Sequence, residues 1–101
     1  MFFGCHAMNV LKRKTLIEYS KKYVDAKGQL DAWYHEAEKV NWSGPQDIKM
    51  RYPSASLLRN NVVVFNIKGN RYRLIVRVEY QAQVVFIKWF GPHADYDKLT
   101  L

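Results

Sequence analysis

The chain has 101 residues, 49% of them hydrophobic and 15% aromatic, which is the length of one domain with one bulky core and no room for a second. Its one cysteine, Cys5, rules out a disulfide framework within the chain and suits a reducing cytoplasm, and no apolar run approaches the roughly 20 residues of a membrane-spanning helix. The net charge is +7, and residues 48–94 hold all of the excess, with eight basic residues against one acid, Glu79. A neutral half joined to a strongly basic half points to a polyanionic partner, most often nucleic acid. A merely basic, soluble surface is the plainer alternative.

In chain order, "MFFGCHA" is too short for a signal peptide and has no basic segment before its apolar residues. Met8 opens "MNVLKRK", which reads as a natural start, so residues 1–7 are expected to be an upstream extension of a single domain spanning 1–101. Residues 8–13 suit a short strand. Thr15, with Glu18 three residues on, has capping-box spacing and predicts a helix N-cap. Leu16, Tyr19, Tyr23 and Val24 then recur at helical intervals, and Gly28 reads as a break. Leu30, Trp33, Tyr34 and Ala37 follow i, i+3, i+4, i+7 spacing, which predicts a second, amphipathic helix. These aromatics are expected in the core and not in a cofactor box.

"NWSGPQD" interrupts the pattern at Gly44 and Pro45, and "IKMRYPSAS" has room for a short helical turn before Pro53. "NVVVFNI" is a strand by its β-branched content. Gly69-Asn70 predicts a two-residue hairpin loop, since both residues tolerate positive φ. "RYRLIVRVEY" returns antiparallel, "QAQ" turns again, and "VVFIKWF" is a third strand that Gly91-Pro92 ends. "HADYDKLTL" reads as a polar tail with one helical turn. The expected class is α+β, with two helices on one face of a twisted antiparallel sheet of about four strands.

The returning strand alternates. Tyr72, Leu74, Val76, Val78 and Tyr80 fall on one face, and Arg71, Arg73, Arg77 and Glu79 fall on the other with Ile75. Two helices cover one face only, so the arginine face is expected to be open. Lys88 shares strand parity with Phe86 and Phe90, which leaves its exposure undecided.

Several chemistries have no support. His6, His35 and His93 show no paired spacing and no partner cysteines for a metal, so no metal or cofactor is expected. No Walker or dinucleotide fingerprint is present. What remains is a cationic sheet, Lys68, Arg71, Arg73, Arg77 and Lys88, with His93 and Tyr96 after the last strand. Such a set holds phosphates by charge. It also favours a pentavalent phosphorane, which is more negative than the ground state. RNA supplies its own 2′-OH nucleophile, so a protein need add only a base, an acid and electrostatic stabilisation. His93 is a proton-transfer candidate. Tyr96 is a candidate acid, base or stacking group. These residues permit ribonuclease chemistry without selecting it over simple RNA binding.

"YPSASLLRNNVVVFNIKGNRYRLIVRVEY" followed by "VFIKWFGPHADYDKL" resembles the HigB family of bacterial toxins, within the RelE-like superfamily. The resemblance spans about residues 8–99, and "FNIKGNRYRLIV" and "GPHADYDKL" are its specific parts. It implies an endoribonuclease that cuts messenger RNA on translating ribosomes, without a metal, by attack of the ribose 2′-OH. It implies neutralisation by a HigA-like antitoxin with a helix-turn-helix domain, which carries the pair to operator DNA. It implies that Arg73, in Tyr72-Arg73-Leu74, contacts the scissile phosphate. Lys68, with Asn66 nearby, matches the basic positions before the turn. His93 and Tyr96 match the segment after the last strand. The chain departs from the RelE pattern in lacking an arginine there and a lysine pair before the turn, which puts the general base in doubt. The competing readings are a non-catalytic RNA- or ribosome-binding module and a degenerate toxin retained for antitoxin binding.

Overall fold

The computed structural model describes residues 8–99. The reading of residues 1–7 as an upstream extension lies outside that range. Five strands form one sheet in the order β1-β5-β4-β3-β2. They are β1 (Asn9–Leu11), β2 (Ser56–Leu57), β3 (Val62–Ile67), β4 (Tyr72–Glu79) and β5 (Val84–Pro92). The α+β class matches expectation, but the sheet is mixed and has five strands. β1 runs parallel to β5, with Val10 opposite Val85. A parallel pair needs a long crossover, here nearly the whole chain, and leaves no local signature. β2 is two exposed residues on the edge, too short to show alternation.

The helical layer differs from expectation at its joints. α1 (Arg13–Lys22) begins after Lys12, which sits in the left-handed region at φ 67°, so Thr15 is inside the helix and not its N-cap. α1 stops at Tyr23, whose N–H donates to the Tyr19 carbonyl. A 3-10 turn (Val24–Ala26) follows, and α2 (Lys27–Lys39) begins at once. Gly28 is therefore inside α2, and the break lies four residues earlier. Val24 leaves the apolar stripe and is 70% exposed. α3 (Pro45–Arg51) starts earlier than the expected turn, because Pro45 suits the first helical position and Gly44 is extended before it. The Ser43 N–H and hydroxyl both donate to Asp47, which draws that carboxyl below its ordinary range.

All three helices pack on one face of the sheet. The expected stripe of α2, Leu30, Trp33, Tyr34 and Ala37, is buried. Trp33, Trp42 and Tyr52 surround Phe65 of β3, with ring centroids 5.0–6.1 Å away. Tyr19, Tyr23 and Tyr72 gather about Phe90 of β5 at 5.2–5.8 Å. Tyr72, Leu74, Val76 and Val78 are buried on this face, as the alternation of β4 predicts. The opposite face carries no helix from this layer. A last short helix, α4 (His93–Tyr96), packs on β4 and β5 at the end of the sheet.

Candidate RNA-binding site

The β3–β4 connection positions most of the candidate residues. Ile67 pairs with Tyr72, so the loop is Lys68–Arg71 and not the two residues Gly69-Asn70. Positive φ falls on Lys68 (54°) and Gly69 (64°). Gly69 tolerates that backbone without a Cβ penalty. Lys68 is held there by its surroundings. Its N–H donates to the Gln29 side chain, and its Nζ donates to the Asp25 carbonyl at 3.0 Å.

Asp25, in the 3-10 turn between α1 and α2, ties the helical layer to this loop. Arg71 Nη1 donates to its Oδ2 at 2.9 Å, and the Tyr72 hydroxyl donates to its Oδ1 at 2.6 Å. The hydrogen bond from Tyr72 is the main reason the Asp25 carboxyl lies below its ordinary range. Desolvation opposes it, and the charges of Lys68 and Arg71 add to it. The same hydrogen bond pushes the Tyr72 phenol up.

Arg73 has a different environment. In register it lies between Asn66 of β3 and Gly91 of β5. β5 continues through Gly91 and Pro92 instead of ending there, and this brings Gly91 opposite Arg73. Arg73 Nη2 donates to the Asn70 side-chain oxygen at 2.7 Å, and Nη1 donates to the carbonyls of Asn70 and Tyr72, each at 3.2 Å. Its guanidinium carbon is 5.9 Å from the centroid of the Tyr96 ring. All these partners are neutral. Arg71 and Arg77 have carboxylate partners, and Arg73 has none among the described residues.

Arg77 lies farther along the same face. It donates to Glu79, and its guanidinium carbon is 4.7 Å from the Phe86 ring centroid. The three arginines therefore have three separate sets of partners and do not act as one row. Lys88 is exposed for a reason that parity hides. Ile75 pairs with Trp89 and Val76 with Ile87, so Lys88 is the extra residue of a β-bulge. The bulge switches the faces of β5. Phe86 lies across from Arg77, while Phe90 lies across from Leu74 in the core.

His93 and Tyr96 both sit on α4. The His93 N–H donates to the Arg71 carbonyl at 2.8 Å, which fixes α4 against the hairpin. Its Nε2 lies 3.2 Å from Asp97 Oδ2. The Tyr96 ring reaches Arg73 and, at 6.4 Å between centroids, Trp89. The fold thus gathers Asn66, Arg73 and Tyr96 around one end of β4 and attaches His93 to the same helix as Tyr96. It turns Lys68 and Arg71 toward Asp25, and it leaves Arg77 and Lys88 farther along the sheet.

Four contributors were not singled out from sequence: Asp25, Asn70, Trp89 and Asp97. Asp97 stands four residues after His93, a spacing that was available to read once α4 is granted. Asn70 reads from sequence as a turn residue only. Asp25 and Trp89 had no local signal, since their roles depend on docking and on the bulge. Among the described residues, no three His, Cys, Asp or Glu side chains group as a metal site, and no helix is long and apolar enough to cross a membrane.

The chain is similar to the mRNA interferase HigB of Escherichia coli O6:H1, with 26% identity over 95 residues, covering 92% of each chain. It is similar to the mRNA interferase toxin HigB of Escherichia coli K12, with 27% identity over 95 residues, covering 92% of this chain and 91% of that one. The mRNA interferase HigB of Shigella flexneri matches to the same extent, 27% over 95 residues. A family profile described as "HigB_toxin, RelE-like toxic component of a toxin-antitoxin system" matches residues 26–99, most of the chain and all of the hairpin, bulge and α4 that build the site. The chain belongs to the HigB family of RelE-like toxins.

Proposed function

We propose that the protein is an endoribonuclease that cleaves messenger RNA on translating ribosomes, without a metal. The single observation that carries this reading is Arg73, a cation held only by neutral groups beside Tyr96 of α4, on the sheet face away from α1, α2 and α3. Its charge is uncompensated inside the protein and available to a phosphate. The relatives named mRNA interferases support messenger RNA as the substrate.

In this reading the ribose 2′-OH attacks the adjacent phosphorus and the 5′-oxygen leaves. The products are a 2′,3′-cyclic phosphate and a 5′-hydroxyl. Arg73 stabilises the extra negative charge of the phosphorane, because a pre-positioned cation favours the more negative species. His93 takes the 2′-OH proton. Asp97 Oδ2 lies 3.2 Å from its Nε2, and a proton held on that nitrogen leaves Nδ1 as the basic one. Tyr96 orients the Arg73 guanidinium and supplies the proton to the leaving oxygen. Asn66 and Lys88 hold flanking RNA, while Lys68 and Arg71 are engaged by Asp25 and Arg77 by Glu79. A HigA-like antitoxin with a helix-turn-helix domain neutralises the toxin in the cytoplasm and alone contacts operator DNA.

The test is induction of the chain without antitoxin, followed by mapping of transcript 5′ ends. New ends within coding sequence, absent in Arg73→Ala, are the expected result. Intact transcripts on stalled ribosomes would instead establish a non-catalytic binding module. Normal growth with retained antitoxin binding would establish a degenerate toxin.

A further inference from the structure

Trp89 is the aromatic that the catalytic reading leaves unused. The bulge at Lys88 places it on the face away from the helices, directly across from Ile75. Its indole lies over Gly91, two residues on. A Cβ added at Gly91 would stand 2.7 Å from two ring carbons of Trp89, so the absence of a side chain there is what lets the ring lie down on the strand. Gly91 is the cross-strand neighbour of Arg73. The ring therefore extends along the floor of the site toward the phosphate-binding cation. Tyr96 stands 6.4 Å from Trp89 and 5.9 Å from Arg73, at the corner that joins them.

Burial sets this tryptophan apart. Trp33 and Trp42 are each 3% exposed and pack around Phe65, while Trp89 is only half-buried. A large, partly open π-surface, pinned in one orientation beside a phosphate site, has the properties of a stacking platform for an unpaired base. Stacking needs a fixed ring more than a deep pocket, and Gly91 supplies the fixing. The placement also suits a single strand, because a backbone phosphate on Arg73 carries its neighbouring bases along the same face.

We propose that Trp89, seated on Gly91, stacks against one RNA base flanking the phosphate that Arg73 binds. This rests on the reading of the protein as an RNA-cleaving toxin. The experiment measures cleavage by the full chain on ribosomes programmed with a defined message. The parent is compared with Trp89→Phe, Trp89→Leu and Gly91→Ala, and each protein is checked for an unchanged melting midpoint. Leucine keeps apolar cover over Ile75 but removes the π-face. Trp89→Leu is expected to lose about tenfold or more in KM-type terms, as loss of a base–aromatic stack does, while Trp89→Phe stays within about threefold. Gly91→Ala, which pushes the ring off its seat, is expected to behave like Trp89→Leu.

A second arm uses messages with an abasic ribonucleotide at each position beside the cut. One such position should weaken the parent by the same factor as Trp89→Leu and should not weaken Trp89→Leu further, since two routes to removing one contact do not add. Full additivity at every position, or parent-like kinetics of Trp89→Leu, would overturn the stacking role while leaving the nuclease reading intact. Absence of cleavage by the parent would remove both. Because the other two tryptophans are buried, quenching of the parent's emission by a single-stranded oligoribonucleotide, lost in Trp89→Phe, is a further expected sign; emission unchanged at saturating RNA would count against the stack.

Discussion

At one end of the β3–β4 hairpin, Lys68, Arg71 and Tyr72 converge on Asp25. Two residues along, Arg73 is held by the Asn70 side chain, two carbonyls and the Tyr96 ring. Both regions are basic in sequence, and only the second keeps its cation uncompensated. The first is a clasp between the helical layer and the sheet. The second is the candidate site. The same distinction runs through the whole basic half. Arg51 pairs with Glu36, Arg71 with Asp25 and Arg77 with Glu79. Two of those carboxylates come from the half of the chain that is neutral by count, so folding offsets part of the charge asymmetry.

The largest expected contrast is between the two neighbouring arginines. Arg73→Ala should lower single-turnover cleavage on programmed ribosomes by roughly 100- to 1000-fold with an unchanged melting midpoint, as removal of a transition-state donor does. Arg71→Ala should stay within about threefold. Equal losses would erase the distinction between clasp and site. Next in size is Tyr72→Phe, which deletes the hydroxyl that donates to Asp25. It should cost about 1 kcal/mol by denaturant titration with cleavage at saturating enzyme preserved. A large catalytic loss at unchanged stability would place the clasp inside the reaction.

The pH dependence sharpens the same point. The folded pKa of Asp25 is lowered, so its contribution to stability is full above the ordinary carboxylate value of 3.8 and is lost as pH falls through the lowered folded value. Melting curves of Asp25→Asn should therefore be flatter than those of the parent on the acid side of pH 3.8, and the two should run parallel near neutrality. The smallest effect is expected at Arg77. Its pairing with Glu79 is partly exposed, so Arg77→Gln should change stability by less than about 1 kcal/mol. It should also leave the salt slope of RNA binding nearly unchanged, whereas a phosphate-bound arginine would lower that slope by about one.

Elements whose cause is local are legible in the residues alone. The α2 stripe is read from its 3.6-residue spacing, and the two faces of β4 follow from simple alternation. Arg73 was legible through its motif, and His93 and Tyr96 through their place after the last strand. The positive-φ requirement put a turn between β3 and β4, although not its register. Tertiary structure decided what depends on partners distant in sequence. Asp25 is 46 residues from Arg71, and only docking of the 3-10 turn on the hairpin brings them together. The bulge at Lys88 exists only against β4, and it alone puts Phe90 in the core and Trp89 beside the site. Composition therefore gave the amount of positive charge, while the packing of helices on the sheet decided that Arg71 is paired and Arg73 is not. A charge is a property of one residue, whereas its neutralisation requires a second residue at close range.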